Sequence, residues 1–126
     1  MEFIIEEIFK APPKQIYESW LDSGKHSNMT GGQAKISNII DEIFTAWDGY
    51  ITGKNIALVP HRKIIQSWRT SQFKEGQPDS LITIDLLTDK NGTKLILKHE
   101  NLTEEDYHYK EGWVAHYFEP MKEYFS

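Results

Sequence analysis

The chain of 126 residues contains no cysteine. Disulfides, thiolate nucleophiles and cysteine metal ligands are excluded, and a reducing compartment is permitted. Arginine is almost as scarce. Only Arg62 and Arg69 stand among the 14 basic residues, set against 19 acids for a net charge of −5. Nucleic-acid binding needs a basic face, so this balance argues against it. No apolar run approaches the ~18 residues of a membrane span, so membrane insertion is not expected. The first residues, MEFIIEEIFKAPP, are acidic and show no signal peptide, and the expected location is cytoplasmic. Glycosylation sequons at Asn28, Asn91 and Asn101 read as chance matches without such a signal. There is no repeat, linker or low-complexity segment.

What is present suits one domain over residues 1–126. Hydrophobic residues make up 39% and charged residues 26%, a globular balance with enough material for a core. The last 24 residues organise the reading. Thr103 and Asp106 resemble a capping box, with three acids in the first turn. Trp113, Tyr117, Met121 and Tyr124 then recur at helical spacing, widened by Val114, Phe118 and Phe125. A long aromatic helix is expected, and it needs a large apolar surface. Within it Gly112 suggests close packing on the sheet or the first helix, and Pro120 should kink the helix by removing the bond to the His116 carbonyl.

The upstream chain supplies the surface. Residues 2–9 read as a strand, and Pro12-Pro13 open a helix over 14–21 with Ile16, Tyr17, Trp20 and Leu21 as its stripe. Residues 23–27 add a further turn, and residues 28–32 form a loop with turn chemistry. Six strands are then expected, over residues 33–38, 43–47, 50–59, 63–73, 81–88 and 93–101. Asp48-Gly49 and Asn91-Gly92 supply hairpin turns, and Gly53 marks a bend or a close backbone approach. Ile64, Gln66 and Trp68 share one face of their strand, as do Ile82, Ile84 and Leu86, and Leu95, Leu97 and His99, of theirs. The sum is α+β: one amphipathic sheet curved around one broad helix.

Catalytic and metal signatures are missing. No pair among His26, His61, His99, His108 and His116 has the spacing of a zinc helix motif, so no metal and no cofactor are expected. Residues 49–55 superficially resemble a phosphate loop but have one residue too few between the glycines. There is no G-x-S-x-G elbow. No catalytic constellation emerges, and an enzyme is not expected.

The run Trp47-Asp48-Gly49-Tyr50-Ile51-Thr52-Gly53, then Leu58-Val59-Pro60, Ile64-Ile65-Gln66-Ser67-Trp68-Arg69, Gly112-Trp113 and Tyr117-Phe118-Glu119-Pro120-Met121-Lys122, resembles the activator of heat-shock protein 90 ATPase homologue family in its C-terminal domain. That family lies within the START-like, birch-allergen-like SRPBCC superfamily. The resemblance implies a helix-grip fold: a seven-stranded antiparallel sheet wrapped around the long C-terminal helix, with two short helices between the first two strands. Where the family usually carries Gly-Gly, this chain has Asp41-Glu42.

The resemblance also implies an apolar cavity between sheet and helix. Its expected lining is Trp20, Phe44, Gln66, Trp68, Ile84, Leu97, His99, Trp113, Tyr117 and Met121, with Gln66 and His99 as polar anchors in apolar registers. The expected function is non-catalytic binding of a small hydrophobic molecule. The alternative is a protein-interaction module that assists a chaperone of the heat-shock protein 90 class.

Overall fold

A computed structural model describes residues 1–126. Its elements follow from local chemistry. Strand β1 (Phe3–Phe9) ends where Pro12 and Pro13 deny the ladder its N–H donors, and Pro13 opens helix α1 (Pro13–Trp20) in the first turn, where a missing N–H costs nothing. Ile16, Tyr17, Trp20 and Leu21 are all buried. Helix α2 (Ser23–Thr30) is longer than the single extra turn expected. The Asp22 side chain caps it by accepting from the Lys25 N–H at 2.9 Å, and Gly31 closes it with a left-handed φ of 91°.

Strands β2 (Ile43–Ala46), β3 (Ile51–Val59), β4 (Lys63–Thr70), β5 (Ser80–Asp89) and β6 (Gly92–Glu100) complete one antiparallel sheet in the order β1-β6-β5-β4-β3-β2. It has six strands, not seven. The missing one is residues 33–38, whose backbone pairs with a strand of the sheet only at an isolated bridge between Lys35 and Thr45. Their backbone is claimed elsewhere. Ser27 Oγ accepts the Ala34 N–H and Ser23 Oγ accepts the Ile36 N–H, each at 2.9 Å, so α2 holds this segment from one side. The Asn55 amide on β3 donates to the Ser37 and Ile39 carbonyls from the other. Two helix hydroxyls and one amide replace a ladder. Asp41 adopts a left-handed φ of 68°.

Sheet registers bring the alternating apolar positions to one face. Ile64 lies opposite Ile84, Ile84 opposite Leu97, and Ile82 opposite His99. The same face carries Gln66 and Trp68, all buried, as the alternation predicts. Gly53 is a close approach: a Cβ there would lie 1.9 Å from the Ser67 carbonyl oxygen and 2.6 Å from the Phe44 ring. Trp68 faces inward, while Arg69 faces out and pairs with Asp79 at 2.7 Å.

The C-terminal helix fills the concavity, but it is not one regular α-helix. A 3₁₀ turn (Glu104–His108) leads into α3 (Tyr109–Trp113), a π turn (Val114–Phe118) and α4 (Glu119–Tyr124). Asp106 serves the cap by accepting from the Thr103 N–H at 3.0 Å and the Thr103 hydroxyl at 2.9 Å. The π turn has a sequence cause. Tyr109, Trp113, Tyr117, Met121 and Phe125 are all buried and stand four residues apart. In an α-helix four residues overshoot a full turn by about 40°, so five such positions would drift off any one face. A wider turn resets the phase. It also sits one turn before Pro120, which has no N–H for the His116 carbonyl. The reset leaves Val114 and Tyr124, both expected on the apolar stripe, exposed.

Gly112 is not a close approach. A Cβ there meets nothing within 4 Å. It borders open space, and that space is the site described next.

Candidate aromatic cleft

Between the β2–β3 turn, β4 and the C-terminal helix lies a cleft of about 600 Å³. Trp47, Tyr50 and Ile51 form one wall and Trp68 the floor. The other wall belongs to the helix. It comprises His108, Tyr109, Glu111 and Gly112, then Trp113, Ala115, His116 and Tyr117. Gly112 and Ala115 are the small residues that leave the space open.

The β2–β3 wall is built on strained backbone. Trp47 and Asp48 have φ of 50° and 60°, and Gly49 follows at 89°. Left-handed φ costs a residue with a Cβ about 1–2 kcal/mol, and bulky side chains rarely adopt it. Local bonds hold the turn: the Asp48 N–H donates to the Gln33 carbonyl, and the Gln33 N–H donates to Asp48 Oδ1 at 3.1 Å. The indole rests on Gly32, where a Cβ would lie 2.4 Å from the ring. Trp47 Nε1 is the one buried side-chain polar atom with no partner. Its ring meets His116 edge-on at 5.6 Å.

The helix wall is anchored by buried polar relays. Ser80 gives its single proton to the Trp68 carbonyl at 2.7 Å, so it accepts from His99 Nε2 at 2.8 Å. His99 Nδ1 is then a bare acceptor, and Trp113 Nε1–H donates to it at 3.0 Å. This fixes a neutral imidazole. Burial pushes the His99 pKa down to about 3, against a weaker opposing pull from Asp106. His26 is held the same way. Its Nδ1–H donates to the Trp20 carbonyl at 2.7 Å, and Nε2 accepts from the Tyr117 hydroxyl at 3.0 Å. Burial pushes His26 down to about 4 and Tyr117 upward. Burial likewise pushes Tyr109 up to about 12, and its hydroxyl bonds to that of Thr70.

Of the ten expected cavity residues, Trp68, Trp113 and Tyr117 line the cleft. The other seven stand behind it. Trp20 stacks on Tyr117 at 5.0 Å and donates to Gln66, which donates to Asn55 at 2.9 Å. His99 serves Trp113. Phe44, Ile84, Leu97 and Met121 are packed in the core, the last two with no exposed surface. Trp47, Tyr50, Ile51 and Tyr109 were not anticipated. The signal for three of them was in plain view, because Trp47, Tyr50 and Ile51 belong to the W-D-G-Y-I run, which reads as a hairpin turn and as part of the family resemblance rather than as a cavity wall.

Chemically, the cleft offers aromatic faces, one carboxylate and two ring-edge histidines. The buried histidines spend both nitrogens on structure and have no atom left for proton transfer. No group of three or more metal-ligating side chains occurs. No helix is long and apolar enough to cross a membrane.

Comparison with known proteins places this architecture. A sequence model of the family described as Activator of Hsp90 ATPase homolog 1-like protein matches residues 10–126. The human activator of 90 kDa heat shock protein ATPase homolog 1 is 28% identical over 124 residues, covering 97% of this chain and 36% of that protein. The chain thus spans about a third of the length of that curated relative. Among solved structures, an HSP90 activator from Plasmodium falciparum superposes with a TM-score of 0.86 at 22% identity, over 98% of this chain and 95% of the other. The Aha1 dimer from Colwellia psychrerythraea gives 0.83 at 16% identity, over 99% and 96%. These two likenesses support the α+β fold described above, an antiparallel sheet with a C-terminal helix packed on it, as a helix-grip arrangement requires.

Proposed function

Since the chain belongs to the Activator of Hsp90 ATPase homolog 1-like family, we propose that it is a non-catalytic binding module whose aromatic cleft takes a small hydrophobic molecule. The observation that carries this reading is the cleft itself. Its volume of about 600 Å³ falls in the range of small-molecule sites, and Trp47, Trp68 and Trp113 all line it. Two features of its wall support the reading. A buried donor without a partner costs roughly 1–3 kcal/mol, and Trp47 Nε1 is one; a ligand acceptor would satisfy it. Strained backbone of the kind found at Trp47 and Asp48 concentrates at functional sites. The experiment is a titration with a library of apolar and polyaromatic molecules, following the indole N–H resonances. Saturable shifts at Trp47, Trp68 and Trp113 are expected. Gly112→Leu, which drives a side chain into the cleft, should abolish them. A library without any saturating member would sink the reading.

Family membership favours a second reading, an interaction module for a chaperone of the heat-shock protein 90 class. The human relative is an activator of that chaperone's ATPase. The test is to add the purified chain to the chaperone of the same organism, then measure ATP turnover and sedimentation. A complex at micromolar concentration supports this reading, and the absence of both complex and rate change removes it.

A further inference from the structure

The cleft's chemistry narrows the class of its ligand. We infer that it takes an organic cation, a hydrophobic ammonium whose charged head sits among the aromatic faces near Glu111 and whose body carries a hydrogen-bond acceptor for Trp47 Nε1. This rests on the cleft being a ligand site, as proposed above.

Three observations combine. First, the lining is aromatic far beyond what apolar packing requires. Trp47, Tyr50, Trp68, Tyr109, Trp113 and Tyr117 surround one space. The faces of such rings carry negative potential, and several of them around one point form the arrangement that binds quaternary ammonium groups. An aliphatic ligand would be served as well by leucine and isoleucine, which the core uses freely, yet Ile51 is the only branched aliphatic residue in the lining.

Second, the lining holds one carboxylate, two imidazoles (His108 and His116) and no ammonium or guanidinium group. The carboxylate is Glu111. The acids that are paired elsewhere are Asp85, Asp79, Glu105, Glu6, Glu2, Glu100, Glu7 and Glu119; Glu111 makes no ion pair. Its sequence neighbour Lys110 is engaged at Tyr107, with Nζ 5.6 Å from the ring centroid and 3.3 Å from the hydroxyl. An anionic ligand such as a fatty acid would find no lysine or arginine in the site.

Third, the whole chain is acidic, at −5, which favours the approach of a cation over that of an anion.

The test uses three probes of equal shape class: (1-naphthylmethyl)trimethylammonium, its neutral carbon isostere 1-neopentylnaphthalene, and 1-naphthylacetate. Each is titrated into the intact chain while the four indole N–H resonances are followed. The cation should bind roughly tenfold tighter than the neutral isostere, and the anion weakest. Glu111→Gln should cost the cation roughly 1.5- to fivefold in affinity and leave the neutral probe unchanged. Glu123→Gln, which does not line the cleft, should change neither. Glu111 is exposed, so its replacement leaves the folded spectrum intact, and that spectrum checks it. Equal affinity for cation and neutral probe, or an unchanged cation affinity in Glu111→Gln, overturns the ammonium inference while the cleft remains a ligand site. If no probe shifts the cleft indoles, both inferences fall together.

Discussion

Trp113 performs two tasks that substitution separates. Its ring packs 4.9 Å from Tyr117 and 5.6 Å from Trp68, and its N–H satisfies His99. Trp113→Phe keeps most of the packing but leaves His99 Nδ1 as a buried acceptor without a donor, so it should cost about 1–3 kcal/mol. Trp113→Ala loses the ring as well and should cost about 3–5 kcal/mol. Both follow from midpoints of urea unfolding at constant slope. A phenylalanine cost below about 0.5 kcal/mol would show that the hydrogen bond to His99 contributes nothing. His99 also shows what single-residue reading can and cannot reach. Its apolar register was legible from the alternation along β6. Its partners were not, because Ser80 and Trp113 converge on it from a neighbouring strand and from the helix. The left-handed Trp47 was equally out of reach. Local propensity disfavours that conformation, and only the contacts at Gly32 and Gln33, far away in sequence, make it the stable choice.

Gly112 and Gly53 look alike in sequence, and the elements around them decide that they behave oppositely. Gly53 lies under Phe44 and against the Ser67 carbonyl. Gly53→Ala therefore forces β2, β3 and β4 apart and should destabilise by about 1–3 kcal/mol or more. Gly112 sits in a helix with nothing near its Cβ position. Gly112→Ala should raise stability by about 0.5–1 kcal/mol through helix propensity alone. Gly112→Leu should melt no lower than the parent while losing ligand binding. A clear fall in melting temperature for the alanine variant would restore the close-packing reading that the geometry removes. The same contrast runs through the larger elements. Hairpins at Asn91-Gly92 and Asp48-Gly49, the faces of β4 to β6 and the stripe of α1 were all legible, because alternation and helical spacing are local. Residues 33–38 alternate like a strand yet are not one, since Ser23, Ser27 and Asn55 reach their backbone first. The π turn was readable in principle, because apolar residues repeated every fourth position cannot stay on one face of an α-helix.

The molecule as a whole should be sensitive to mild acid, through two histidines that burial keeps neutral. Folded His26 and His99 are depressed to about 4 and about 3, while in the unfolded chain both return to their ordinary value of 6.5. Below pH 6.5 the unfolded state therefore binds protons that the folded state refuses, and stability falls as pH falls. The contribution is complete above pH 6.5 and is lost progressively down to the folded values. Each histidine gives a slope approaching about 1.4 kcal/mol per pH unit. Asp106 and Glu7 are also shifted. Burial alone would raise them, but hydrogen bonds from Thr103 and Gln77 on Asp106, and from Lys122 on Glu7, outweigh it and hold both below their ordinary values. Their effect has the same sign but begins only near their unfolded carboxylate range, below about pH 4.5. The interval from pH 6.5 to 4.5 therefore isolates the histidines, and together they should remove on the order of 4–5 kcal/mol across it. That loss is comparable to the whole stability of a small domain, so acid unfolding should set in before most carboxylates protonate. Denaturant titrations at half-unit intervals measure the curve. The double variant His26→Gln, His99→Gln should start less stable at pH 7 and stay level down to pH 4.5. A parent protein whose stability is flat over that interval would mean that the two imidazoles are not held neutral by the relays to Trp20, Tyr117, Ser80 and Trp113.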